Sequence, residues 1–541
     1  MNPNNHNPPI MSNLDEKPGS SLTEPYSASE PDSFSDIDEK KLLWKIDLRI
    51  IPLFTVLYLL SFLDRGNIGN AKIEGLAESL NLRGMQYNMC LTIFFIFYSS
   101  MEIPCNVVLR YVKPKTFIPI TMAIWSVVMT LMGTVRNYHQ LMAMRALLGI
   151  FEAALFPGIS YILSIYYKKN EVLVREAIFF SAASMAGAFS GLLAAAISKM
   201  NGVGNYEGWR WIFILEGLLT FVVAVIAWFY FPLNPSECSF LTERERKFVV
   251  QRVTFSSNNV ISKPDRPEEP SRSKPLNEPF EHDKNSPDVE LSSPTYSDGP
   301  TNLGETHEND KRWILAVFAD WQSWCMLMVY YGVVVPLYGI SLFTPTIIKS
   351  LGHTNTKAQL MSVPIYVVAS IYSIAQAWMS DRVGLRSPFL SFNFVCMAIG
   401  YTVCICVDPR TNPRVIYAAS YIIAIGMYPA FPLVVIWFSN NLSGSYKRAV
   451  GMAFQIGIGN LGGAFASNFY RTQDSPRFLL GHSLELGFIC GGFFFMMVVI
   501  VGYKLSNKRR RDALKRGDYS NYSEAEFLAM GDKSPHFTYR L

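Results

Sequence analysis

Residues 46–66 read IDLRIIPLFTVLYLLSFLDRG, and beyond Arg49 no charge appears until the Asp64-Arg65 pair that closes the run. A stretch so long and so apolar matches a hydrocarbon layer about 30 Å thick better than the interior of a soluble domain. Runs of the same kind recur along the chain, with cores at Tyr58–Phe62, Ile93–Tyr98 and Phe493–Val501. Composition agrees with this reading. Half of the 541 residues are hydrophobic and 17% are charged, against about a quarter charged in an ordinary soluble domain.

Apolar spans are expected near 46–66, 86–109, 116–135, 139–167, 175–198 and 209–231, and again near 324–348, 359–379, 388–407, 414–438, 448–469 and 483–505. The polar stretch between the two sets is dense in Ser, Pro, Glu and Lys. Six spans, a long linker and six spans form the layout of a major facilitator transporter, with its substrate site between two bundles. The fold expected is an all-α membrane protein of about twelve transmembrane helices in two six-helix bundles. Its divisions are a disordered N-terminal tail (1–45), a first bundle (46–232), a disordered linker (233–323), a second bundle (324–505) and a C-terminal tail (506–541).

Lys and Arg set the orientation. Lys40, Lys41, Lys45 and Arg49, the Arg110–Lys115 turn, Lys168 and Lys169, Lys447 and Arg448, and the Lys508–Arg511 cluster share one side, which the positive-inside rule makes cytosolic. Both tails and the linker then face the cytosol, and the sequons at Asn441 and Asn521 stay unused. The formal net charge of +5 reads as headgroup anchoring, because its densest cluster directly follows the last span; no nucleic-acid partner is expected. The eight cysteines sit mostly inside apolar runs and pair with no histidines, so neither a disulfide framework nor a metal site is expected. No nucleophile, base and orienting group can be assembled from the spacing, which argues against an enzyme, and no cofactor is expected.

Ionisable residues inside spans are costly and therefore functional candidates. Asp64 and Arg65 close the first span, Glu102 lies in the second, Arg145 and Glu152 in the fourth, Glu216 in the sixth, and Glu485 begins the last. Arg145 and Glu152 are two helical turns apart and share a face, with Gly149 between them to admit a neighbouring helix or a ligand. Asp64, Arg65, Arg145 and Glu152 are expected to form one mixed-charge cluster at the cavity, with static ion pairing as the alternative. Arginine stays charged and clamps carboxylates in a bidentate manner, so protonation of the acid would free it for an anionic substrate. Glu102 and Glu216 are read as at least as much structural as coupling. Asn460 and Gln455 offer hydrogen bonds from the second half, and Tyr98, Tyr330 and Tyr331 are further cavity residues. Ala183, Gly187 and Gly191 recur every fourth residue, as in close helix packing.

These residues sit in segments with a specific likeness. PLFTVLYLLSFLDRGNIGNAKI (Pro52–Ile73), MRALLGIFEAALFPG (Met144–Gly158), GWRWIFILEG (Gly208–Gly217), YRTQDSPRFLLGHSLE (Tyr470–Glu485) and the ending GDKSPHFTYRL (Gly531–Leu541) resemble landmarks of the fungal allantoate permease family. Those proteins are anion:cation symporters of the major facilitator superfamily. The resemblance implies proton-coupled import of a small organic anion, such as nicotinate, pantothenate, allantoate or another carboxylate vitamin or ureide, by a monomer in the plasma membrane. The endoplasmic reticulum and the vacuole are alternative locations. It implies substrate binding by Arg65, Arg145, Asn460 and Tyr98, and proton coupling by Asp64 and Glu152. DRVGLR at Asp381–Arg386 is similar to the superfamily's cytosolic gating loop and implies gating roles for Asp381, Arg382 and Arg386; the first-half turn from Leu109, LRYVKPK, departs from it, with Arg110 in place of the aspartate. The alternatives are a proton-driven exporter of the same superfamily and a nutrient-sensing receptor. The fifth span, Ala177–Ile197, contains no proline and so lacks the exporter's antiporter pattern; the segment after Lys504 is too short for a folded signalling domain.

Overall fold

The structure is a computed structural model that describes residues 34, 37–258, 310–443, 445–519, 522, 526–527 and 530–541. The described residues are helical throughout, with no strand. The first half holds α1 (Glu39–Ile73), α2 (Gln86–Tyr111), α3 (Pro114–Met132), α4 (Tyr138–Glu152), α5 (Leu155–Tyr166), α6 (Lys169–Ile197) and α7 (Gly208–Tyr230). After α8 (Glu243–Asn258) and α9 (Asp310–Ala319), the second half holds α10 (Trp321–Ser350), α11 (Asn355–Val383), α12 (Ser387–Cys406), α13 (Pro413–Asn440), α14 (Ser445–Gly459), α15 (Gly462–Ala466) and α16 (Leu479–Arg516). Eleven stretches of the described residues are long and apolar enough to cross a bilayer. The stretch expected to be the eleventh of twelve is shorter, Val450–Ala466, and contains a turn at Asn460 and Leu461. The chain is an integral, multi-pass membrane protein.

Local chemistry explains where the helices start and stop. Asp38 caps α1 by accepting the Lys40 amide at 3.0 Å, Asn137 caps α4 by accepting that of Gln140 at 3.0 Å, and Pro114 and Pro413 open α3 and α13, where a missing amide proton costs nothing. Gly384 and Gly517 end α11 and α16 in the left-handed region, at φ 72° and 75°, which only glycine enters freely. Large apolar side chains such as Phe229, Ile371 and Phe494 point outward, as a lipid-facing surface requires.

The halves meet on the face opposite the chain termini. A methyl group on Gly69 of α1 would lie 2.5 Å from the Leu342 carbonyl oxygen of α10, so the two backbones touch there. Lys349 Nζ donates to the Ile73 carbonyl at 3.1 Å, and Gln359 Nε2 to Glu74 Oε1 at 3.0 Å. Gly187 and Gly191 of α6 take Tyr366 and the Gln359 backbone of α11 against them, as small residues at four-residue spacing allow. Between α2 and the segment after α15, Asn468 Nδ2 donates to Thr92 Oγ1 at 2.8 Å. Near the termini the ion pairs among the described residues each stay within one half: Asp47–Arg175, Glu39–Lys168, Lys113–Glu237 and Lys447–Asp532 are examples.

Two expectations need correction. The polar region between the halves is not disordered at its ends, since α8 and α9 lie inside residues 233–323; its middle lies outside the described residues. The signal for α8 is a capping box: Thr242 Oγ1 accepts the Glu245 amide at 3.3 Å while Glu245 Oε2 accepts that of Thr242 at 2.8 Å. Arg252 then fastens α8 to Glu39 and Glu171, each at 3.0 Å. The ordered part of the N-terminal region likewise reaches back to Glu39.

The C-terminal segment, finally, is docked against the second half. The Arg540 backbone exchanges hydrogen bonds with the Asn441 side chain, at 2.7 and 3.0 Å, and Tyr539 stacks on Tyr503 with centroids 4.5 Å apart. Asn441 is thereby fully buried, which closes its sequon to modification. Lys447, 1% exposed, is held by Asp320 and by Asp532 at 2.8 Å.

Two predictions follow from these contacts. Gly69→Ala should force the halves apart at that face, so spin labels on the exposed positions Glu78 and Lys357 should report longer distances than in the parent; an unchanged distribution would remove the Gly69 contact as a determinant. Asp532→Ala should lower thermal stability in detergent by about 2 kcal/mol, the scale of a hydrogen bond to a buried charge. An unchanged melting temperature would show the segment to be loosely placed.

Candidate functional site

Arg65 lies at the centre of the molecule, 5% exposed. Its Nε and Nη2 donate to Glu152 Oε1 at 2.9 and 2.6 Å, and the same oxygen accepts from Ser61 Oγ at 2.7 Å. The guanidinium lies over the Tyr98 ring at 4.7 Å and the Phe62 ring at 4.7 Å, contacts whose quadrupoles favour a desolvated cation. Glu152 is fully buried, and its second oxygen has no hydrogen-bond partner. It is the last residue of α4, just before the turn that separates α4 from α5 within one span.

The network then leaves the first half. Arg65 Nη1 donates to Tyr338 Oη of α10 at 3.1 Å, and Tyr338 donates to Asn460 Oδ1 at 3.0 Å. Asn460 Nδ2 donates back to Glu102 Oε2 of α2 at 3.2 Å. One chain of polar groups thus runs from Glu152 through Arg65, Tyr338 and Asn460 to Glu102, crossing between the halves twice. Asn460 sits at the interruption between α14 and α15, as Glu152 sits at that between α4 and α5. Broken helices at mid-membrane expose backbone and side chains to a site that an unbroken helix would cover.

Arg145 and Asp64 do not join this cluster, contrary to expectation. Arg145 is fully buried against α2, where its Nε meets the Cys90 carbonyl at 3.4 Å and its guanidinium lies 4.9 Å from the Phe94 ring centroid. Arg65 approaches the same ring at 5.6 Å, so two guanidinium groups share one aromatic neighbour. Both Arg145 Nη atoms are buried without a partner. Sharing a face with Glu152 was not enough, because the two turns between them carry the side chains apart and Gly149 is filled by the α2 backbone: a methyl there would lie 2.4 Å from the Phe94 carbonyl oxygen. Asp64 points away from Arg65, as adjacent helical residues must. Its Oδ2 accepts from Trp125 Nε1 at 3.1 Å and Thr220 Oγ1 at 3.2 Å, which ties α1 to α3 and α7.

The remaining candidates divide in the same way. Tyr98 is in the cluster, as the ring beneath Arg65. Gln455 instead donates to the Met326 carbonyl at 3.3 Å, Tyr331 to that of Ile458 at 2.9 Å, and Glu216 accepts from Asn67. Asp381 pairs with Arg386, whose Nη1 also donates to Ser380 Oγ at 2.8 Å and whose backbone amide donates to the Leu541 carbonyl at 2.9 Å. Arg382 lies over Trp378 at 3.8 Å. Tyr338 is the member of this network that sequence reasoning passed over, since a neutral tyrosine in an apolar span gives no signal of its own. Among the described residues no cluster of His, Cys, Asp and Glu could hold a metal.

Residues 54–467 match the sequence profile of the Major Facilitator Superfamily. The chain belongs to that superfamily. It is therefore a transporter and not an enzyme, and it moves a small-molecule substrate across the membrane in which it is embedded. It is 31% identical over 503 residues to an uncharacterized transporter of Schizosaccharomyces pombe, covering 93% of this chain and 90% of the relative. It is 29% identical over 506 residues to the high-affinity nicotinic acid transporter of Saccharomyces cerevisiae, covering 93% and 85%. A bacterial homolog of the human lysosomal transporter Spinster, solved in an inward-facing and occupied conformation, shares the fold with TM-score 0.58 at 15% identity, over 83% of this chain and 96% of that one.

The Arg65–Glu152 pair gives a thermodynamic test. Arg65→Leu should destabilise the protein by about 3–5 kcal/mol, since it strands a buried carboxylate. Adding Glu152→Leu should recover most of that loss, because the second change removes the stranded charge. Additive losses in thermal unfolding would mean that the two side chains do not depend on each other.

Proposed function

We propose that this transporter imports a small organic anion, a carboxylate vitamin or ureide such as nicotinate, pantothenate or allantoate, together with a proton. The observation that carries the reading is the pair of buried arginines on Phe94, one held by a single exchangeable carboxylate and the other with both terminal nitrogens unpartnered. A fixed guanidinium at membrane depth needs an anion in every state of the cycle. With Glu152 ionised, Arg65 is satisfied from within. When a proton neutralises Glu152, Arg65 is released and a substrate carboxylate can take its place in the fork of the guanidinium. Proton and anion then enter as a neutral pair, which lowers the cost of moving either across the low-dielectric interior.

The other groups follow from this exchange. Arg145 offers a second cationic contact, Tyr98 a ring wall, and Tyr338 and Asn460 hydrogen bonds from the second half. Such a bond would draw the halves together around a bound substrate. Asp64 serves better as the anchor that fixes α1, and so the direction of Arg65, than as a second carrier of the proton. The face on which the halves meet would be the outer one, with both termini, α8 and the docked C-terminal segment in the cytosol. The plasma membrane suits an importer of this kind. The nicotinic acid specificity of the yeast relative makes nicotinate the first substrate to try.

The test is uptake of labelled nicotinate, pantothenate and allantoate in a transport-deficient strain, with counterflow in vesicles. Uptake of one of them should rise as external pH falls and collapse with a protonophore. Arg65→Lys and Arg145→Lys should each weaken apparent affinity by about tenfold or more, the equivalent of one lost charge-assisted hydrogen bond. Glu152→Gln should abolish accumulation while leaving exchange of bound substrate. Accumulation by Glu152→Gln that still follows the proton gradient would refute the coupling role. Uptake that ignores pH in the parent would refute symport.

A further inference from the structure

The second half contains a buried acid that the cluster above does not use. Glu485 lies on α16, fully buried, and neither carboxyl oxygen has a hydrogen-bond partner. It fills the space left by Gly339 on α10, where a methyl group would lie 2.0 Å from Glu485 Oε1 and 3.4 Å from the Tyr470 ring. One turn earlier on α16, on the same face, stands His482, whose Nδ1 is 3.3 Å from Tyr470 Oη. The His482 ring lies 5.4 Å from that of Tyr470 and 5.9 Å from that of Tyr401, all three residues being less than 5% exposed. His482 in turn lines a narrow cleft with Ser350, Pro409, Pro476 and Arg477. Those residues belong to the ends and turns of the second half that lie opposite the termini, on the face where the halves meet.

An ionised carboxylate with no donor and no counter-ion costs several kcal/mol at such depth. Its titratable neighbours are Tyr401 from α12, Tyr470 from the segment before α16, and His482 from α16 itself, with Cys404 of α12 beside the two tyrosines. From α10 it meets Gly339, and the adjoining Tyr338 is turned to Arg65 and Asn460. None of these supplies a cation against it.

We propose that Glu485 is a second proton-binding site, belonging to the second half and loaded from the cleft through His482 and Tyr470. When the Glu485 side chain turns to Tyr470 Oη, which it does not bond in this structure, a proton from the medium enters at His482 as the Tyr470 hydroxyl proton passes to Glu485, and the imidazole proton restores the hydroxyl. One proton enters, one reaches the acid, and neither relay group changes its net protonation. The route does not pass through the Arg65–Glu152 cluster. It ends against the back of the helix turn that carries Tyr338, so the state of Glu485 can bear on the link between the halves without touching substrate.

The site can be tested without a substrate, by infrared difference spectroscopy of the purified full chain in nanodiscs. Subtracting the Glu485→Gln spectrum from that of the parent at neutral pH should reveal the carbonyl-stretch band of a protonated, weakly hydrogen-bonded carboxylic acid. Transfer to heavy water should shift that band, and Tyr470→Phe and His482→Phe should each slow the shift severalfold while leaving the band in place. A difference spectrum that contains only carboxylate bands would overturn the site. Exchange as fast in both relay variants as in the parent would overturn the route. Failure of nicotinate or any other anion to be taken up bears on the import reading and leaves this measurement unaffected.

Discussion

A guanidinium that cannot be neutralised, held at the middle of a membrane protein, is the constraint around which this structure is arranged. Arg65 cannot shed its charge, and at an effective dielectric near 20 a unit charge about 4 Å away is worth roughly 4 kcal/mol. Everything within reach of it acts as a partial answer. Glu152 supplies the counter-charge, Ser61 steadies that carboxylate, Tyr98 and Phe62 offer ring faces, and Tyr338 accepts the remaining bond. Four of these five belong to the first half. The fifth comes from the second half, and so the demand of one buried charge is what joins the two bundles at their centre.

The join is made to be reversible. The two bonds that cross the centre, from Arg65 to Tyr338 and from Asn460 to Glu102, each have one neutral partner, and a hydrogen bond to a charged group contributes about 1.5–3 kcal/mol, less than the roughly 3–5 kcal/mol lost when a buried ion pair is broken. Asn460 occupies a helix interruption, where backbone and side chain can turn without breaking a continuous ladder. Away from the centre the same economy holds. The halves touch closely through glycines, at Gly69, Gly187 and Gly191, and through single hydrogen bonds from Lys349 to the Ile73 carbonyl and from Gln359 to Glu74 rather than through an ion pair. The ion pairs near the termini, by contrast, lie within one half among the described residues and brace each bundle.

The span pattern was legible because hydropathy over twenty residues is additive and local; a bilayer imposes the same demand on every helix. The ends of the polar linker were misread because composition was averaged over the whole of it. Thr242 and Glu245 form a capping box that a residue-level reading would have found, and Arg252 has its partners in Glu39 and Glu171, which no local pattern discloses. In the site, charge gave the candidates and periodicity gave their faces. Periodicity could not say which neighbour each face meets. Arg145 and Glu152 share a stripe, yet the carboxylate turns to α1 and the guanidinium to α2. Asp64 and Arg65 are adjacent and therefore diverge by about 100°, one toward Trp125 and one toward Glu152. Tyr338 and Trp125 were invisible for a simpler reason: an uncharged aromatic in an apolar span looks like any other.

The two halves are unlike in the charge they carry at membrane depth, and that difference has a consequence for movement. Asp64, Arg65, Glu102, Arg145, Glu152 and Glu216 are all in the first half, while the second contributes Tyr338 and Asn460 to the centre and keeps Glu485 to itself. At its centre the first half holds one buried ion pair, Arg65–Glu152, and a shift that separates its partners is costly. The second half is free of that penalty at the centre, and its own rigidity is supplied at the face bearing the termini, where Lys447, Asp320 and Asp532 bind the C-terminal segment across α10, α14 and α16. The first half is thus the natural frame for recognition of charge. The second half, braced at one face, meets that frame at the centre through the neutral groups Tyr338 and Asn460, which bond to Arg65 and Glu102.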